Sequence, residues 1–209
     1  MIIRQTKETE TEQEIRDILS SHFNIFYEVW GIHSVTFKKK RIDAILIPKD
    51  HLIDFPKIPI GLELKPKQLL DGNKKQAIEL SKQTIDYRYT RFKMKTGYHF
   101  LPLLLIYPPY SNYLSHQQKD FEDGFSYFAN RLLGKYFIGE LVLDDPDYVF
   151  KIVLCAQNYY RYKNGLGKRL NMNWGFEEYE KLKAEIIEKA YDFKEYENEI
   201  RNISGLLGI

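Results

Sequence analysis

The chain of 209 residues contains a single cysteine, Cys155. One cysteine forms no internal disulfide and supplies no cysteine-based zinc or iron–sulfur cluster. No run approaches the ~18 consecutive apolar residues of a membrane-spanning helix. Residues 1–14 are acidic and polar and lack an apolar signal core, so a soluble, cytoplasmic protein is expected. There is no internal repeat, low-complexity segment or linker. The five histidines, His22, His33, His51, His99 and His116, are scattered with no close pair in the sequence, which argues against a histidine metal site. Gly165-Leu166-Gly167-Lys168 lacks the spacing of a phosphate-binding loop, so ATP is not invoked. Net charge is nearly absent as well, at +2, which on its face argues against a nucleic-acid partner.

What is present is a normal globular balance, 44% hydrophobic and 29% charged, enough for one sizeable core. The charge is unevenly spread. Residues 1–30 carry three basic and six acidic side chains, and residues 177–201 carry five and nine. Residues 35–95 carry fifteen basic and seven acidic, a surplus of eight. Acidic ends mask a basic middle, which is either a solvated lysine-rich surface or an electrostatic footprint for phosphates.

Hydrophobic periodicity predicts helices over 9–23, 74–90, 119–133 and 176–200. Thr11 and Glu14 have capping-box spacing. Strands are predicted over 24–30, 41–47, 60–64, 100–107, 136–143 and 148–156, and a loop over 158–175. The order gives an α/β fold with a mixed central sheet, in one domain spanning 1–209.

The chemistry lies in two apolar strands. Asp43 interrupts Arg41-Ile42-Asp43-Ala44-Ile45-Leu46-Ile47, and Glu63 and Lys65 interrupt Gly61-Leu62-Glu63-Leu64-Lys65. A buried acid is costly unless it is paired or metal-bound. Glu63 and Lys65, two apart, share a face of a strand. If the strands pair, two carboxylates and an ammonium converge, and a hard divalent cation would relieve the repulsion between the acids. The bland alternative is an ordinary buried ion pair between Lys65 and one acid.

Asp43 followed by Glu63-x-Lys65 resembles the PD-(D/E)xK nuclease superfamily, over roughly residues 9–107. The resemblance implies a restriction-endonuclease-like core (helix, three strands, helix, strand); outside it, from about residue 108, the element order adds a C-terminal helix–hairpin–helix extension. It implies that Asp43, Glu63 and the Leu64 carbonyl hold Mg²⁺ or Mn²⁺, with Glu14 as a further ligand and Lys65 as the catalytic lysine. Glu10 and Glu12 are neighbours that compete with Glu14 for that role. Gln83-x-x-x-Tyr87, on the helix after Glu63-x-Lys65, resembles the motif of RecB-type nucleases. It implies that Gln83 positions Lys65 or the attacking water and that Tyr87 touches the DNA backbone. Ile42 stands where many members have proline, and the iron–sulfur cysteines of some RecB-type members are missing. The small size also resembles archaeal Holliday-junction resolvases and small nucleases of archaeal viruses.

The activity implied is Mg²⁺-dependent hydrolysis of single-stranded or branched DNA. A homodimer is expected if the enzyme is resolvase-like. The alternative is a non-catalytic nucleic-acid-binding protein. Lys67, Arg88, Arg91, Lys168 and Arg169 are candidate phosphate contacts. The run Tyr159-Tyr160-Arg161-Tyr162-Lys163 is equally a single-strand stacking surface or a cover for the edge of the core.

Overall fold

A computed structural model describes residues 7–52, 55, 57–65, 74–109, 133–143, 145–154, 157–163 and 165–169. Helix α1 (Lys7–Leu19) precedes β1 (Phe23–His33), β2 (Lys39–Pro48) and β3 (Ile60–Leu64). Helix α2 (Lys74–Arg88) leads to the short β4 (Thr90–Met94) and β5 (Gly97–His99), then to β6 (Leu103–Tyr107). The chain continues through β7 (Ile138–Val142), β8 (Phe150–Leu154), β9 (Gln157–Lys163) and β10 (Leu166–Arg169). All ten strands form one sheet in the order β10-β9-β8-β7-β6-β3-β2-β1-β4-β5. β3, β6 and β7 run parallel to one another, and the remaining pairs are antiparallel.

The two sheet faces carry separate cores. Leu103, Leu105 and Tyr107 pack with Ile15 and Leu19 of α1, whereas Leu104 and Ile106 pack with Leu80 and Tyr87 of α2. This is the period-2 alternation of a strand buried on both faces, and it explains why β3 and β6 read as near-continuous apolar runs. Gly61 permits the tightest approach. A Cβ there would lie 2.5 Å from Leu104, 2.6 Å from Ile42 and 2.7 Å from Leu101.

The expected restriction-endonuclease-like core with a helix–hairpin–helix extension is overturned. Ten strands against two helices make this a sheet-dominated architecture among the described residues. Two segments account for much of the difference. Residues 90–99, given no strand by the sequence beyond the end of a helix at 90, form the β4–β5 hairpin, with Phe92 buried between the outward Arg91 and Lys93. The segment read as a loop over 158–175 from its Tyr, Gly and Lys content contains most of β9 and all of β10. Tyr160 and Tyr162 are buried there and stack on Phe150, so these two tyrosines are core. Burial of two large rings on alternate residues outweighs the polar composition around them. The last predicted helix, 176–200, lies outside the described residues, as does all of 119–133 except Leu133.

Thr11 lies within α1, so Thr11 and Glu14 are not its capping box. No helix among the described residues is long and apolar enough to cross a membrane.

Candidate active site

Strand pairing brings the two acids together. The β2–β3 ladder runs Leu46↔Ile60, Ile45↔Gly61 and Ala44↔Leu62; Asp43 and Glu63 come next along the two strands, near enough for the Asp43 charge to act on Glu63. Asp43 Oδ2 accepts the Leu64 N–H at 2.7 Å. Leu62 and Leu64 face α1, so Glu63 faces α2.

The orientation of Asp43 depends on a local break in the pleat. Ala44 and Leu46 face the α1 core, yet Ile42, two residues earlier, belongs to the α2 core. Tyr27 and Val29 of β1 show the same switch. The β1–β2 pairing passes from Tyr27↔Ala44 to Val29↔Ile42 and skips the step between them, and Glu28, at the skipped position, has φ 52. A left-handed glutamate inside a strand is strained, as at bulges beside functional sites. Glu28 is held by Arg41 at 2.9 Å.

Glu63 is 1% exposed. Its Oε1 receives the Lys65 ammonium at 2.8 Å, while its Oε2 is buried with no hydrogen-bond partner. Burial, and next the Asp43 charge, push the Glu63 carboxyl from 4.5 up to about 7, against the opposing pull of Lys65 and, more weakly, of the nearby Tyr87 hydroxyl. Gln83 Nε2 donates to the Tyr87 hydroxyl at 2.7 Å, and that hydroxyl donates to the Arg41 carbonyl at 2.6 Å. Burial and the Glu63 charge beside it hold the Tyr87 phenol well above its ordinary range. Asp43, Glu63, Lys65, Gln83 and Tyr87 therefore form one cluster between the sheet and α2.

Other candidates are placed elsewhere. Glu14 accepts the Tyr107 hydroxyl at 3.1 Å, and Tyr107 belongs to the α1 core, on the other face from Tyr87. The Leu64 side chain is core, and its N–H is the group bonded to Asp43. Arg88 is 2% exposed and donates to the carbonyls of Leu101, Pro102, Tyr136 and Phe137, so it is a buried brace and reaches no phosphate. Arg91 lies three strands from β3, with its guanidinium 4.9 Å from the Phe100 ring. Lys168 and Arg169 sit on β10, five strands from β3, which at ~4.8 Å per strand is about 24 Å. Lys67 lies outside the described residues.

Three features escaped the sequence. His22 and His51 meet at 3.2 Å, although 29 residues separate them. Burial and the neighbouring His51 and Lys49 lower the His22 pKa. Glu140 is a second buried acid, and the ladder Glu63↔Ile106↔Glu140 places it level with Glu63, two strands away. It has bonding partners of its own. The strained Glu28 had no sequence signal, because glutamate in a strand gives no sign of its φ.

Among the described residues no set of three or more His, Cys, Asp or Glu side chains is grouped as for a metal ion. The donor chemistry nonetheless suits a hard cation, since Glu63 offers an unpartnered buried oxygen beside Asp43. No family model, curated protein or solved structure matches the chain.

Proposed function

We propose that the Asp43–Glu63–Lys65 cluster is the centre of a Mg²⁺- or Mn²⁺-dependent deoxyribonuclease. The observation that carries this reading is the unpartnered, buried Oε2 of Glu63 beside a second acid. A carboxylate oxygen in that state is costly unless a cation or a proton occupies it. The reading rests on these side chains and on their likeness to the PD-(D/E)xK motif. It takes nothing from the overall fold.

Asp43 and Glu63 would hold the cation. Once bound, it would lower the pKa of a bound water and polarise a phosphate oxygen. Lys65, 29% exposed at the side chain and tethered to Glu63, presents its ammonium where a phosphate arrives and stabilises developing negative charge. Tyr87, fixed by Gln83 and the Arg41 carbonyl, sits beside Glu63.

A second reading is favoured by the 2.8 Å Lys65–Glu63 contact, which is equally an internal ion pair in a protein that binds DNA without cutting it. A panel of single-stranded, duplex, flap and four-way-junction DNA, incubated with Mg²⁺ or Mn²⁺, separates the two. Cleavage by the wild type that is lost in Asp43→Ala and Lys65→Ala supports the nuclease. Binding with no cleavage of any substrate supports the second reading. Equal cleavage by all three proteins points to a contaminant and removes the site assignment.

A further inference from the structure

β1 is an inner strand of the sheet along only part of its length. β2 pairs with it from Phe23 to Ile32, but β4 pairs only with Gly31, Ile32 and His33. Among the described residues, no strand lies on the other side of the segment from Phe23 to Trp30. A groove of about 620 Å³ runs along this open edge. Five consecutive residues of β1, from Phe23 to Tyr27, line it, so the groove follows the strand edge and not one sheet face.

Its charge has one sign. Arg16 of α1, Lys49 after β2 and Lys95 after β4 line the groove, and no carboxylate does. None of the three appears in an ion pair among the described residues. The Arg16 guanidinium sits 5.1 Å from the Tyr27 ring, and the Lys49 ammonium donates to the Ser20 carbonyl at 2.7 Å. Both cations are thus held in place without being neutralised. Phe26 lies within the groove and is 46% exposed. Four residues along the strand, Trp30 is 54% exposed, with the Arg41 guanidinium 5.9 Å from its ring.

We infer that this groove binds single-stranded DNA. The choice of DNA rests on the nuclease reading, and the choice of a single strand comes from the groove itself. Three unneutralised cations match a phosphodiester backbone. The exposed Phe26 ring contributes by stacking on an unpaired base, which a duplex keeps inside its own stack.

The test is fluorescence anisotropy of a labelled oligo(dT) of about twelve nucleotides with the full chain, in EDTA so that hydrolysis does not intervene. Arg16→Glu with Lys95→Glu is expected to weaken binding by at least about tenfold and to lower the salt slope by about 1.4, at ~0.7 per phosphate contact. Phe26→Ala is expected to weaken binding about fivefold or more with the slope unchanged, as loss of stacking requires. Lys57→Glu with Lys82→Glu, matched in charge but outside the groove, is expected to bind as the wild type. Circular dichroism melting shows that each variant is folded.

Wild-type affinity in the Arg16/Lys95 variant overturns the inference. So does an equal loss in the Lys57/Lys82 control, equal affinity for duplex, or stronger competition from an acidic extended peptide than from unlabelled oligo(dT). The nuclease reading fails separately. Groove-dependent binding without cleavage in Mg²⁺ removes the nuclease and keeps the groove, whereas undiminished cleavage by the Arg16/Lys95 variant removes the groove.

Discussion

Replacing Glu63 with glutamine keeps its shape and removes its charge. The folded-state carboxyl titrates at about 7, against 4.5 in the absence of the fold. At about 1.36 kcal/mol per pH unit, that gap corresponds to about 3 kcal/mol. The direction follows from proton counting. Between pH 4.5 and about 7 the unfolded chain has released this proton and the folded chain retains it. Folded stability therefore falls as pH rises through this window, and the penalty is complete above about 7. Urea unfolding in EDTA, at a series of pH values from 4 to 8, measures it. The stability of Glu63→Gln relative to wild type is expected to rise by about 3 kcal/mol across the window, with other titrations common to both proteins and cancelling. Parallel pH profiles for the two proteins would refute the claim that burial and Asp43 strain this carboxylate.

Three further outcomes are expected. Arg88→Met strands buried carbonyls of Leu101, Pro102, Tyr136 and Phe137, and at about 1–3 kcal/mol for each stranded group it costs several kcal/mol in urea unfolding. Wild-type stability together with lost DNA affinity would instead make Arg88 a phosphate contact. Gly61→Ala forces a methyl group against Leu104, Ile42 and Leu101 and is expected to cost about 1–3 kcal/mol, read as a lowered Tm. An unchanged Tm would contradict the close packing beneath Glu63. The His22 imidazole is expected to titrate below 6.5 by NMR, so its burial costs folded stability as pH falls through that range. A value at or above 6.5 would contradict the burial of this ring.

The centre was legible because its signals are local. Asp43 and Glu63 stand out as single acids in apolar strands, Lys65 follows at strand period, and Gln83 and Tyr87 follow at helix period. β3 and α2 were legible for the same reason, since Pro66 stops one and the other is long. What failed was non-local. β9 depends on pairing with β8, which buries Tyr160 and Tyr162, and a segment rich in Tyr, Arg and Gly reads as a loop without that partner. Arg88 looked like a phosphate contact because a charged residue at a helix end is normally solvated. Only the tertiary arrangement supplies its four carbonyls. The pleat break at Asp43 depends on the backbone of Glu28 in the neighbouring strand, which side-chain type does not encode. The meeting of His22 and His51 likewise needs the folded chain.

The central claim is that Asp43 and Glu63 together hold a divalent cation. Mn²⁺ binding to the full chain, followed by electron paramagnetic resonance, tests it without reference to catalysis. The expected result is one Mn²⁺ site in the wild type that is lost or weakened at least about tenfold in both Asp43→Asn and Glu63→Gln, because a neutral amide replaces a charged ligand. Wild-type Mn²⁺ affinity in both variants, or no site in the wild type, would contradict it.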